Sequence, residues 1–347
     1  MLTRRTISLT VFAALAAGAI IAIAGPLNPP GGPITSTGKT TQEVFDKVGT
    51  AEPRTALSAA NTPGDADSMF TINQSGSYYL TADVYVGAAK SGIKIINGNA
   101  PNVTIDLNGF TIHGFTGTLD GIRTTSVPGG STLRIHNGAI TGMGAIGVNV
   151  NAQCLDLTQV AVQFSGQDGF NYSGQAITIT NCRAFWNTGD GFHSLSAANI
   201  SECTAELNTS DGFEIGAGLL SHCNSLTSTG RGVVSAFGLQ ITDCHIGSFG
   251  DAITVGNNCT VARNWVNAPS PRIGIHATGA SNRIEENDIQ GTGTGVLVDG
   301  ATGNIVVKNF ARGNSTAYSV TGSNFLGPVV SNVSGVAGAG PWANFAY

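Results

Sequence analysis

Residues 187–216 read NTGDGFHSLSAANISECTAELNTSDGFEIG, and within this stretch the chain repeats itself. NTGDGF at 187–192 returns as NTSDGF at 208–213, and SGQDGF at 165–170 precedes both. The same phase continues in Arg231-Gly232-Val233, Asp251-Ala252-Ile253, Ile273-Gly274-Ile275 and Thr294-Gly295-Val296, a step of 20 to 22 residues. Upstream it is held by Ile146-Gly147-Val148 and, after a longer step, Asp120-Gly121-Ile122. A unit this short, rich in Gly and β-branched residues, has room for three short strands and three turns. The chain is therefore read as an all-β solenoid, a parallel β-helix. The period also says which residues stack from coil to coil.

The bulk composition agrees. Of 347 residues, 48 are Gly, only 11% are charged and 41% are hydrophobic. So much Gly disfavours helices, at about 1 kcal/mol per helical position, and so much apolar content disfavours disorder. Residues 1–24 have the form of a secretory signal peptide, with Arg4 and Arg5 before an apolar run from Val11 to Ile23 and Ala22-Ile23-Ala24 before Gly25. The run is too short for an ordinary membrane span, so no transmembrane span is expected in the mature chain. The paired arginines also fit a twin-arginine signal loosely. Export implies a secreted, periplasmic or cell-surface protein. Removing Arg4 and Arg5 from 16 Lys+Arg leaves 14 against 21 Asp+Glu, a net charge near −7. No basic stripe marks a nucleic-acid partner.

Cys182, Cys203, Cys223 and Cys244 are spaced by 21, 20 and 21 residues. They occupy one phase of the repeat and should form an inward row of free thiols, because side chains parallel in a stack rarely meet disulfide torsions. Cys154 and Cys259 share another phase, too far apart to pair. Residues 25–64, with Pro26, Pro29, Pro30 and Pro33, read as a linker and N-terminal segment, with a short helix near 41–48. Residues 65–326 form the solenoid, and 327–347 cover its open end.

Three stretches outside the repeats carry a resemblance: EPRTALSAANTPGDADSMFTI (52–72) with SGSYYL (75–80), NVTIDLNGFTIHG (102–114) and PWANFAY (341–347). With the G-[FIV] entry strands, they make the chain similar to right-handed parallel β-helix proteins of the pectate-lyase-like superfamily, within a group of bacterial exported proteins of largely unassigned function. The resemblance implies a right-handed coil and a polysaccharide partner. It also implies a site on the first strand and its preceding turn. The NTD, DD, GHG and RIK motifs of the polygalacturonase-like members are absent, as is the DPHD motif of the alginate-epimerase-like ones. Asn187-Thr188-Gly189-Asp190 has Gly where the first of these needs Asp.

The candidate site is therefore read from the residues. Asp168, Asp190 and Asp211 share one turn phase, and Arg231 continues it. Three positions on, Asn171, His193 and Glu214 each follow an inward Phe and should point outward. Asp190, His193, Asp211, Glu214 and Arg231 are the candidate catalytic residues, and Asp168, Asp190 and Asp211 the candidate Ca²⁺ ligands. In a lyase, the cation would acidify the proton α to a uronate carboxylate, with His193 or Arg231 near the base position. In a hydrolase, Asp190 and Glu214 would be the carboxylate pair. Against both stands a plainer role, since Asp in a turn commonly accepts backbone N–H bonds. The chain would then be a non-catalytic surface or carbohydrate-binding rod. Asn181, Glu202, His222 and Asp243 form a second polar row, placed on the second strand, where alternation of hydrogen-bonding groups suffices to explain it. Trp186 and Trp265 are either sugar platforms or core.

Overall fold

The computed structural model describes residues 40, 52–96, 98, 102–125, 131–300 and 302–347. The signal peptide, most of the linker and the short helix expected near 41–48 lie outside them. Residues 53–347 form one unit, a parallel β-solenoid of about 12 turns. Each turn contributes a strand to each of three sheets. The coil from Phe192 shows the pattern. Phe192–Ser201 runs through the first sheet and into the second, and Thr204–Glu206 forms the third. Its neighbour aligns in parallel register, Phe192 on Phe213, Ile200 on Leu220 and Ala205 on Ser225.

Alternation decides which side chains go in. Phe170, Phe192 and Phe213 are fully buried, with ring centroids 4.7 and 4.9 Å apart and nearly parallel planes. Ile122 and Val148 continue the column on one side, Val233 and Ile253 on the other. His193 and Glu214, each one residue later, therefore face out.

The thiol row is present. Cys182, Cys203, Cys223 and Cys244 are buried and free. Each Sγ–H donates to the carbonyl two residues back, at 3.2–3.4 Å. Each of the first three also donates its backbone N–H to the sulfur of the next coil. Burial, together with the neighbouring thiols, pushes the Cys203 thiol far up, so it stays protonated. Beyond Cys244 the column continues in asparagine. Cys244 N–H donates to Asn264 Oδ1, and Asn264, Asn287, Asn309 and Asn344 follow in turn. A parallel Asn column begins below Cys259 with Asn282, Asn304 and Asn324. Cys154 and Cys259 do not share a phase. Cys154 is exposed beside the Leu155 column, whereas Cys259 is buried under Leu239.

The second polar row is also displaced from its expected place. Asn181, Glu202, His222 and Asp243 have φ of +53° to +57° and sit at the corner between the second and third sheets. A sharp bend before the inward Cys demands the left-handed region, which Asn and Asp tolerate best. From Asp243 the corner carries alternating charge, with Arg263 paired to Asp243 at 2.9 Å and Lys308 to Glu286 at 3.0 Å.

The solenoid begins earlier than the composition suggested. Thr55–Ala56 pairs in parallel with Tyr78–Tyr79, and Leu57 is buried in the core. Pro63–Asp65 then forms an antiparallel hairpin with Ser68–Ile72, so regular structure already begins within the expected linker and N-terminal segment. At the other end, Asn344–Ala346 pairs with Phe310–Ala311, and the Tyr318 hydroxyl donates to the Asn309 and Phe345 carbonyls. No helix among the described residues is long and apolar enough to cross a membrane.

Candidate acid–base site on the first sheet

The turn entering each first-sheet strand is Gly-Asp-Gly-Phe or a close variant, and its Asp has two jobs. In every copy, one carboxylate oxygen accepts the backbone N–H at the same place in the next coil. Asp168 Oδ1 takes it from Asp190 at 2.9 Å, Asp190 from Asp211 at 2.8 Å and Asp211 from Arg231 at 2.6 Å. Asp190 and Asp211 are each only 6% exposed, which suits this structural duty. The second oxygen reaches a neighbouring side chain, on the outward row for Asp168 and Asp190 and on the turn row itself for Asp211. Asp168 Oδ2 accepts from Asn171 Nδ2 at 3.1 Å, Asp190 Oδ2 meets His193 Nδ1 at 2.9 Å and Asp211 Oδ2 accepts from Arg231 at 2.8 Å. All six oxygens are thus engaged, with three different side-chain partners. The trio put forward for Ca²⁺, Asp168, Asp190 and Asp211, does not converge on a common point.

Convergence occurs one residue row further out. His193 and Glu214 are register partners on adjacent coils. His193 Nδ1 lies 2.9 Å from Asp190 Oδ2 and 3.1 Å from Glu214 Oε2. Among the described residues, Asp190, His193 and Glu214 are the set whose donor atoms all lie within 4.8 Å of one another. Burial pulls the His193 pKa down. Hydrogen bonding to Asp190 and the charges of Glu214, Asp168 and Asp190 outweigh it, so the imidazole titrates above its ordinary value. Burial pushes Glu214 up, and Asp190 and Asp211 add to this against the pull of His193. The histidine is thus shifted toward its charged, protonated form and the glutamate toward its neutral, protonated form, with Nδ1 fixed and Nε2 left for an incoming group. Arg231 is held over Asp211 rather than over His193. It borders a groove of about 310 Å³ with Leu195, Glu214, Gly216 and Ser235.

The expected catalytic set is thus divided. Asp190, His193 and Glu214 form a cluster, and Asp211 and Arg231 form the adjacent ion pair. Lys94, Arg123 and Asn149, which sequence reading missed, extend the His193–Glu214 row toward the N-terminus. The phase was followed back to Gly121-Ile122, but its outward residues were not drawn, and the further step of 29 residues hid Gly92-Ile93 and with it Lys94. Trp186 is half exposed at the corner before the first sheet and stacks on Phe164 at 5.2 Å. Trp265 is also outward, against His245 at 3.8 Å. A larger hollow of about 470 Å³ lies there with Phe249, on the third sheet, and contains no acid–base set.

Comparison of the structure with solved proteins fixes the architecture. Over 81% of its length the chain superposes on the Azotobacter vinelandii mannuronan C-5 epimerase AlgE4 A-module, covering 94% of that chain with a TM-score of 0.55 and 18% identity. The chain is a right-handed parallel β-helix. The AlgE6 A-module of the same organism matches over 88% of this chain and 94% of its own, with a TM-score of 0.51 and 15% identity. At these identities the likeness is one of fold. By sequence, no family model and no curated protein match.

Proposed function

We propose that this β-helix acts on an anionic polysaccharide by proton transfer at the carbon α to a uronate carboxylate, leading to elimination or epimerisation. The observation that carries the reading is His193 Nδ1 between Asp190 Oδ2 at 2.9 Å and Glu214 Oε2 at 3.1 Å on the outer face of the first sheet. Asp190 fixes the tautomer, and His193 Nε2 and Glu214 exchange the substrate proton. Arg231 at the groove edge faces the carboxylate. Hydrolysis is less well supported. Asp190 is buried and both its oxygens are engaged, whereas a nucleophilic carboxylate must reach the sugar. Two structural neighbours that act on mannuronan are consistent with the substrate class. An exported or cell-surface location belongs to the same reading.

The second reading is a non-catalytic carbohydrate-binding rod. It is favoured by the exposed Phe164–Trp186 stack, a surface suited to a sugar ring. The test is incubation of the protein with uronate polymers in D₂O, with Ca²⁺ and with chelator. Ultraviolet absorbance reports unsaturated product, and NMR reports deuterium at the α carbon. Reducing-end release on uronate and neutral polymers reports hydrolysis. Proton-transfer activity abolished in His193→Ala supports the proposal. No turnover on any polymer by folded protein favours the rod.

A further inference from the structure

The outward row that contains His193 runs Lys94, Arg123, Asn149, Asn171, His193, Glu214, one residue per coil. Lys94 and Arg123 are its two permanent cations, and both are covered by the chain itself. The hairpin of Pro63–Asp65 with Ser68–Ile72 folds its Asp65-Ala66-Asp67 turn over them. Lys94 Nζ contacts Asp65 Oδ2 and Asp67 Oδ1, and Asp67 Oδ2 receives Arg123. Asp67 thus bridges cations on consecutive coils with its two oxygens. Lys94 is left only 8% exposed, while the carboxylates above it remain 42% and 44% exposed. Pro63 to Ala66 are all exposed, so no apolar side chain at the tip seats it. Charge, the Lys90 ammonium on the Asp65 and Ser68 carbonyls, the Ser68 hydroxyl on Asp65 Oδ1 at 2.6 Å and one bond from Ser91 N–H to the Asp67 carbonyl hold it down.

We propose that Lys94 and Arg123 form a carboxylate-binding subsite for an anionic polysaccharide, and that the Asp65–Asp67 turn is its built-in occupant, displaced when the polymer binds. The proposal rests on the reading above for the path of the polymer. Arg123 lies three coils from His193, roughly 14 Å at the strand spacing of a sheet, so one chain along the row engages both. Lifting the turn with nothing in its place strands a buried Lys94 charge, which is strongly unfavourable. An incoming carboxylate replaces what is removed, and a neutral sugar does not. The turn therefore selects for anionic polymer as well as competing with it.

Titration calorimetry with oligomannuronate and oligogalacturonate, and with cello-oligosaccharide as the neutral control, tests this. Removing the competitor in Asp65→Asn/Asp67→Asn tightens oligouronate binding by about tenfold or more, the expected gain when the open form is a minor state. Lys94→Gln/Arg123→Gln abolishes that gain when added to it. In the wild-type protein, exchange of the Ser91 amide accelerates at saturating oligouronate and not with cello-oligosaccharide. Unchanged affinity in the folded Asn variant overturns the proposal. So does unchanged Ser91 exchange, which decides the matter if that variant does not fold. Tightened binding without turnover by any form would sink the proton-transfer reading and leave the subsite standing. His193-dependent turnover with no gain in affinity would do the reverse.

Discussion

Asp190 joins the stack to the site, and replacing it in two ways separates the jobs. In Asp190→Ala the Asp211 N–H, buried and bonded to Asp190 Oδ1 at 2.8 Å, loses its acceptor. A buried donor left unpaired costs about 1–3 kcal/mol, with the upper end expected because the acceptor is charged. Asp190→Asn keeps an oxygen at that position and should cost about 1 kcal/mol or less. At the other end of the side chain the two variants agree, since neither leaves a carboxylate on His193 Nδ1. The His193 pKa should fall in both. The sign of the pH effect follows. His193 is raised above its ordinary 6.5 in the folded chain, so its contribution to stability is complete below that value and fades as pH climbs through the folded one. Glu214, raised above its ordinary 4.5, acts in the same sense at lower pH. Both variants should therefore show a flatter decline in stability above pH 6.5 than the wild type. Urea denaturation at several pH values and NMR titration of the imidazole, identified by its loss in His193→Ala, measure the two effects. Equal destabilisation by Ala and Asn would refute the role given to Oδ1. An unmoved His193 titration would refute the role given to Oδ2.

Phe192→Ala removes the middle ring of the three-ring column and should cost about 3–5 kcal/mol in denaturant unfolding, with Phe192→Leu much milder. Asn287→Ala removes the acceptor of the Asn264 N–H and the side-chain donor to the Val261 carbonyl, at about 1–3 kcal/mol for each buried group left unpaired. Amide exchange should rise in the coils around 263–310 and stay slow before Cys182, because each coil contacts mainly its neighbours. In native protein a thiol reagent should modify Cys154 alone, and the five buried cysteines only after unfolding.

Much of this architecture was legible because a repeat converts sequence distance into stacking. The Phe and Cys columns follow from a constant phase and a period-two alternation, and so does the outward direction of His193 and Glu214. The Asn column was equally present as spacing, since Asn264 falls 20 residues after Cys244. It was missed because the residue type changes there while the structural job does not. Leu57 was lost to a composition argument, since a strand as short as Thr55–Ala56 leaves little pattern before the hairpin. The left-handed corner at Asn181, Glu202 and His222 was read as strand because alternation continues through it. The Asp row marks a different limit of spacing. Spacing brings three Asp to one column, but only coordinates reveal that each carboxylate is already divided between a backbone amide and a neighbouring side chain. The Asp67 contacts are remote from local sequence, across 27 residues to Lys94 and 56 to Arg123, and they pass through an antiparallel turn that breaks the repeat.

The two kinds of column run in opposite senses along the chain. At the Asp turns, a later coil donates its amide to a side chain already laid down, as Asp211 does to Asp190. At the Cys and Asn corners, an earlier coil donates to a side chain not yet supplied, as Cys244 does to Asn264 and Asn309 to Asn344. For a chain that emerges from its N-terminus, every new coil finds a docking point waiting at one edge and completes an unfinished one at the other. Growth is thus templated from behind and sealed from ahead. A stack halted at any of these corner coils ends on an amide whose partner has yet to be made, and Asn344, 35 residues past Asn309, is the one that closes the last.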